Sequence, residues 1–196
     1  MHIIFYGPEG SGKGTQAKLL SKNLHLPLLV SGDLVRDAAV NDKGLIGDAV
    51  RKALEEGKYV ADTEIFVLWK KRLKENDVKN GWVMDGFPRN IDQAKFLTEK
   101  VNKYGYKIDK AFYLKISVEE SMKRLIKRGR KLHAGSTEVH DSPERIKQRL
   151  AIYKENEKKV LDFFRKQKVL EEIDGEENIK KIHQDILSRL NEHPIS

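Results

Sequence analysis

The stretch Gly7-Pro8-Glu9-Gly10-Ser11-Gly12-Lys13-Gly14-Thr15 follows the apolar run Ile3-Ile4-Phe5-Tyr6 directly. It reads as a buried β-strand, a glycine-rich turn carrying one lysine, and a helix opening at Gln16-Ala17-Lys18-Leu19-Leu20. Glycines let the chain curl until several backbone N–H groups converge on one anion. The helix N-terminus adds unpaired donors and a partial positive charge, and Lys13 reaches the outer phosphates. Gly7, Gly12 and Lys13 fit the template G-x-x-x-x-G-K. Gly14 stands where such loops usually have Ser or Thr, and the hydroxyl arrives one residue later, at Thr15. Strand, loop and helix in this order imply an α/β fold with a nucleotide phosphate seated at the strand's end.

The rest of the chain keeps that rhythm. Short apolar runs at residues 2–6, 28–30, 81–84, 110–116 and 168–173 predict strands. Helical patterns cover 13–24, 32–40, 47–56, 62–75, 90–104, 118–129, 142–166 and 177–191. Strands alternating with helices predict a three-layer α/β sandwich, a parallel sheet of five strands with helices on both faces and ligands at the strands' C-terminal ends. Ser142-Pro143 reads as a capped helix start, and Asp174-Gly175 as a turn. Two segments depart from the alternation. Residues 31–60 hold two short helices broken at Gly44, and residues 129–141 are polar and without period. Both read as excursions from the sheet's top edge, where lids commonly sit.

Composition narrows the class. A chain of 196 residues suggests a single domain, residues 1–196, with a core (1–30, 61–128, 142–196), an excursion (31–60) and a short lid (129–141). Without cysteine there is neither a disulfide nor a thiolate zinc site, which fits a cytoplasmic protein. No apolar run approaches the roughly 20 residues of a membrane span, and no signal peptide is expected. The net charge of +8 lacks a recognition motif with interleaved aromatics, so small anionic ligands explain it better than nucleic acid. His133 and His140 lie in a polar loop and predict no metal site.

Further candidates sit at strand ends. Asp85-Gly86-Phe87-Pro88-Arg89 follows Trp82-Val83-Met84. A carboxylate there, beside a phosphate loop, can anchor magnesium directly or through its water shell. Gly86 and Pro88 shape a turn that would aim Arg89 at a phosphate. Ser31-Gly32-Asp33-Leu34-Val35-Arg36 follows the second strand and places Arg36 one turn into a helix, within reach of a second anion or simply at the surface. Arg124 and Arg128, four apart on one helix face, could clamp phosphates, stack on a base, or form a solvated face with Glu120. Arg149 would pass equally for surface charge.

Together these residues resemble the adenylate kinases and related nucleoside monophosphate kinases, along the whole chain. Gly7 to Gln16 resembles the family's phosphate loop, Ser31 to Arg36 its T-G-D-x-x-R motif, and Asp85 to Arg89 with Gln93 its most specific signature. Arg124, Arg128 and Arg149 match its lid-flanking arginines, and Glu177 follows the turn whose backbone meets the donor adenine. The resemblance implies reversible phosphoryl transfer between ATP and AMP in a monomer, with Mg2+ arriving with ATP at Asp85, through water, and no zinc. It implies that Gly10, Ser11, Gly12, Lys13, Gly14, Thr15, Arg124 and Glu177 hold ATP. Ser31, Arg36, Lys58, Tyr59, Val60, Gly86, Phe87, Pro88, Arg89 and Gln93 would hold AMP. Lys13, Arg36, Arg89, Arg128 and Arg149 would act on the transferring group. Ser31 with Gln93 favours adenine as the acceptor base; the alternatives are a UMP or CMP kinase and a nucleotide-binding module without activity. The lid departs from the family. Counted back from Arg149, its G-R-x-D-D motif falls on Thr137 to Asp141, so that Glu138 stands in place of an arginine and His140 in place of an aspartate. Arg130 or Lys131 is expected to take over, with Arg145 as a further candidate.

Overall fold

The computed structural model describes residues 1–131 and 140–191. Its strands are β1 (His2–Tyr6), β2 (Leu28–Val30), β3 (Trp82–Asp85), β4 (Lys110–Lys115) and β5 (Leu170–Asp174). They form one sheet in the order β2-β3-β1-β4-β5, with every neighbouring pair parallel. A parallel sheet needs cover on both faces, and all five residues of β1 are buried. Because alternate side chains point to opposite faces, Ile4 and Tyr6 enter one core cluster while Ile3 and Phe5 enter another.

The helices sort accordingly. The Ile4 face is covered by α2 (Ser31–Asn41), α3 (Leu45–Glu55), α4 (Asp62–Arg72), α5 (Ile91–Lys103) and α7 (Pro143–Lys166), which contribute Ala38, Val50, Trp69, Leu97 and Phe164. The Ile3 face is covered by α1 (Lys13–Leu24) and α8 (Ile179–Asn191), through Ala17, Leu20, Ile182 and Ile186. Leu20 is fully buried, and its truncation to alanine would cost about 3 kcal/mol. The remaining helix, α6 (Val118–Arg128), runs from β4 toward α7 and packs Leu125 against Ile146 and Leu150.

The sheet order fixes where a ligand can sit. From central β1 the chain proceeds to β2 on one side, whereas from neighbouring β4 it proceeds to β5 on the other. A crevice therefore opens at the C-terminal ends of these strands.

All predicted boundaries but one hold within two residues, and three of the differences have local reasons. The helix expected over 62–75 stops at Arg72; Lys74 and Glu75 make tighter i→i−3 bonds before a 3-10 turn at Asn76–Val78, where Arg72 holds Asp77 at 2.9 and 2.6 Å. The last helix starts at Ile179 rather than 177 because the Asn178 side chain accepts from Lys181 N at 3.0 Å and caps it. The strand expected from 168 starts at Leu170, since Lys168 takes φ 58 at the end of α7. Ser142 does cap α7, accepting from Arg145 N at 3.4 Å.

Candidate functional site

The loop between β1 and α1 is shaped by close approach. Gly10 has φ +86, and a Cβ there would stand 2.9 Å from Ser121 O. At Gly7 it would stand 2.6 Å from Leu114 O. No side chain caps α1, so its first N–H groups are left for a ligand. Lys13 Nζ donates to Pro8 O at 2.7 Å, folded back over the loop. Burial pulls the Lys13 pKa down, against the opposing pull of the Asp85 and Glu9 carboxylates. Burial pushes the Asp85 pKa up, opposed by Lys13 and Arg89.

A cavity of about 900 Å³ opens over this loop. Gly10 to Thr15 form its floor, Asp85, Gly86, Arg36 and Arg89 one wall, and Arg124, Arg128, Arg130 and Glu177 the other. Arg124 is braced by Glu120 at 2.7 Å and by Gly175 O at 2.9 Å, so the predicted Glu120 support is present. A second cavity of about 120 Å³ lies between α2 and the β3–α5 turn, lined by Ser31, Arg36, Lys58, Tyr59, Val60, Phe87, Arg89 and Gln93. A third, of about 80 Å³, joins them from behind and brings Lys13, Pro88, Arg89 and Arg149 together. Arg149 is buried and reaches this rear pocket rather than the large cavity. Arg36, Arg89, Arg124, Arg128 and Arg130 line the large one, and Arg145, the further candidate for the lid cation, does not. Arg36 is exposed and paired with Asp33.

The β3–α5 turn is pinned by side chains. Gln93 Oε1 accepts from Arg89 N at 2.7 Å, and Gln93 Nε2 donates to Asp62 Oδ1 at 2.6 Å. Asp62 also accepts from Asn90 Nδ2 at 2.9 Å. Both ends of the Gln93 amide are thus engaged, which fixes its orientation and leaves one N–H and one lone pair for a ligand. Arg89 lies over the Tyr59 ring, 3.9 Å from its centroid.

The approach to α7 is organised by Asp141, whose side chain is wholly buried. Its carboxylate accepts from Arg128, from Arg149 Nη2 at 3.0 Å and from Arg130 N at 3.1 Å. Burial pushes the Asp141 pKa up, but the Arg128 and Arg149 hydrogen bonds hold it far below the ordinary carboxylate value. His140 sits between Arg130 and Arg149, and burial, reinforced by Arg149, keeps it neutral by lowering its pKa. Thr137, Glu138 and Val139 lie outside the described residues, as does His133. Of the two cations expected to substitute at Glu138, Arg130 lines both the large cavity and the 120 Å³ one, and Lys131 lines neither. Sequence reasoning overlooked the roles of Glu9, Asp62 and Asp141. Glu9 occupies a variable loop position, and nothing in its spacing marks it.

Among the described residues no group of three or more His, Cys, Asp or Glu side chains forms a metal cage. A magnesium ion needs no such cage, since it keeps waters and takes phosphate oxygens with one or two carboxylates. Asp85, at the end of β3 on the wall of the large cavity, fits that donor set. Among the described residues no helix is long and apolar enough to cross a membrane.

Residues 5–169 match the family model for adenylate kinase. The adenylate kinase of Prochlorococcus marinus (strain MIT 9211) is 36% identical over 188 residues, spanning 96% of this chain and 96% of its own. Adenylate kinase 1 of Nostoc sp. (strain PCC 7120) is 32% identical, covering 96% of this chain and 97% of its own. The adenylate kinase of Leptospira biflexa serovar Patoc (strain Patoc 1 / Ames) is 34% identical, covering 96% and 98%.

Proposed function

The chain belongs to the adenylate kinase family, and from that membership we propose that it catalyses reversible phosphoryl transfer between ATP and AMP, yielding two ADP. Arg89 supports this reading best. It lines the large cavity, the smaller acceptor cavity and the rear pocket joining them, where two nucleotides would meet through their phosphates.

No general base is required, because the attacking AMP phosphate oxygen is already ionised. The residues align the two anions and neutralise charge. In this reading the phosphate loop cradles the ATP phosphates, and Lys13 swings from Pro8 O to follow the transferring group. Arg36 and Arg89 hold the AMP phosphate, while Arg128 and Arg149 face the equatorial oxygens. Arg130 supplies the lid cation in place of position 138. Arg124 and the backbone near Glu177 receive the donor adenine, and Ser31 and Gln93 select the acceptor base. Magnesium supplied with ATP neutralises phosphate charge, and Asp85 would hold it through water. Residues 31–60 form the acceptor segment and residues 129–141, most of them outside the described residues, the lid. Their closure excludes water that would otherwise hydrolyse ATP. A cytoplasmic monomer completes the proposal.

An ADP-release assay with magnesium over a panel of monophosphates tests it. AMP should be the preferred acceptor. Preference for UMP or CMP would reassign the substrate, and tight ATP binding without ADP formation from any monophosphate would leave a binding module.

A further inference from the structure

A site that collects polyphosphate has no electrostatic use for a negative charge at its centre, yet the phosphate loop carries one. Glu9 lines all three cavities, and 28% of its side chain is exposed. Its backbone is anchored, with Glu9 O accepting from the buried hydroxyl of Ser121. Its carboxylate reaches across the cleft to the acceptor segment. Glu9 Oε1 accepts from the Tyr59 hydroxyl at 2.7 Å, between residues 50 apart in sequence. The other oxygen faces Arg149 Nε at 3.2 Å. Tyr59 is the residue whose ring lies under the Arg89 guanidinium.

We infer that Glu9 and Tyr59 form a positioning pair: the loop carboxylate holds the tyrosine hydroxyl so that the tyrosine ring carries Arg89 where it grips the acceptor phosphate. The inference rests on the phosphoryl-transfer reading above and adds a coupling to it, because the hydrogen bond joins the donor loop to the acceptor segment. The protonation states suit the contact. Burial pushes the Tyr59 phenol well above its ordinary value, so it remains a donor. Burial pushes Glu9 up, but Arg149, the Tyr59 hydroxyl, Arg89 and Lys13 outweigh it and hold the acid ionised. A hydrogen bond to a charged group anchors the ring more firmly than packing at the mouth of an open cleft could.

The test combines AMP titration by calorimetry with steady-state kinetics in ATP and AMP. It uses the full chain and its variants Tyr59→Phe, Glu9→Leu, the double variant, and Glu9→Gln. Tyr59→Phe keeps the ring and removes only the hydroxyl. AMP affinity should fall roughly tenfold in Tyr59→Phe and in Glu9→Leu. The double variant should fall no further than the weaker-binding single one, because a single contact is removed twice. Glu9→Gln, which retains a carbonyl acceptor without the charge, should weaken AMP binding less than Glu9→Leu does, and KM for ATP should rise far less than KM for AMP. Multiplicative losses in the double variant, unchanged AMP affinity in Tyr59→Phe, or equal weakening toward ATP would overturn the pair. Failure of the wild type to form ADP would instead overturn the transfer reading, while the calorimetric ranking would still judge the pair.

Discussion

Arg128 and Asp141 form a two-point ion pair between the end of α6 and the start of α7, with Nε on Oδ2 at 2.8 Å and Nη2 on Oδ1 at 3.0 Å. The same carboxylate also takes Arg149, so a single buried acid sets the spacing between the two arginines proposed to face the phosphates. Asp141→Asn removes the charged partner that Arg128 and Arg149 share, leaving Arg149 its contact with Glu9 at 3.2 Å. Unfolding stability should fall by about 2–3 kcal/mol, read as a lower midpoint in urea, and kcat should fall with it. An unchanged midpoint would show that Arg128 and Arg149 are held by something else.

His140 makes that region sensitive to pH. Its folded-state pKa lies below the ordinary value, chiefly through burial and then Arg149, with Arg130 adding to the effect and Asp141 opposing it. As pH drops through about 6.5, the unfolded chain takes up a proton that the folded chain refuses. Stability from the neutral ring is therefore whole above about pH 7 and is lost on acidification. Urea unfolding at pH 8 and pH 5.5 should show a smaller acid loss in His140→Gln than in the wild type. Equal losses would remove His140 from the account.

Gly14 leaves room for Asp85. A Cβ at residue 14 would lie 3.1 Å from Asp85 Oδ2, so Gly14→Ala obliges the carboxylate to move a few tenths of an ångström. Alanine is itself favourable in a helix by about 0.5–1 kcal/mol. The melting midpoint should hold or rise, while turnover drops about tenfold and half-maximal rate requires more magnesium. A magnesium titration at saturating ATP reads this directly, and an unaltered magnesium dependence would separate Asp85 from the metal.

Asp62 governs the acceptor amide from outside the cavity. With its carboxylate removed in Asp62→Ala, the Gln93 amide loses the partner that fixes which end is Nε2. The ratio of kcat/KM for AMP to that for CMP should fall by about tenfold. A preserved ratio would mean that Arg89 N alone orients Gln93.

The strand–loop–helix at the N-terminus could be read residue by residue because its chemistry is local: glycines, one lysine and a flanking apolar run leave few alternatives. The same held for Asp85 and Arg89, whose turn follows its strand without a gap. What escaped reading depends on contacts between residues distant in sequence. Asp141 reads as the last aspartate of a lid motif, but its hold on two guanidiniums emerges only when Arg128 and Arg149 arrive from two other turns of the chain. Glu9 gains its meaning only when Tyr59, fifty residues on, is folded against it. The end of α4 at Arg72 turned on Asp77 as a partner for its guanidinium, a competition between local hydrogen bonds that periodicity does not register.

Arg130 and Asp141 exchange two hydrogen bonds, Arg130 N to Asp141 Oδ2 at 3.1 Å and Asp141 N to Arg130 O at 3.2 Å. Such a clasp makes the length of the intervening chain thermodynamically cheap to change, since doubling a closed loop costs only about 0.6 kcal/mol. Reporter peptides or affinity tags could therefore be spliced between these two residues, leaving the guanidinium array beneath them at its native spacing.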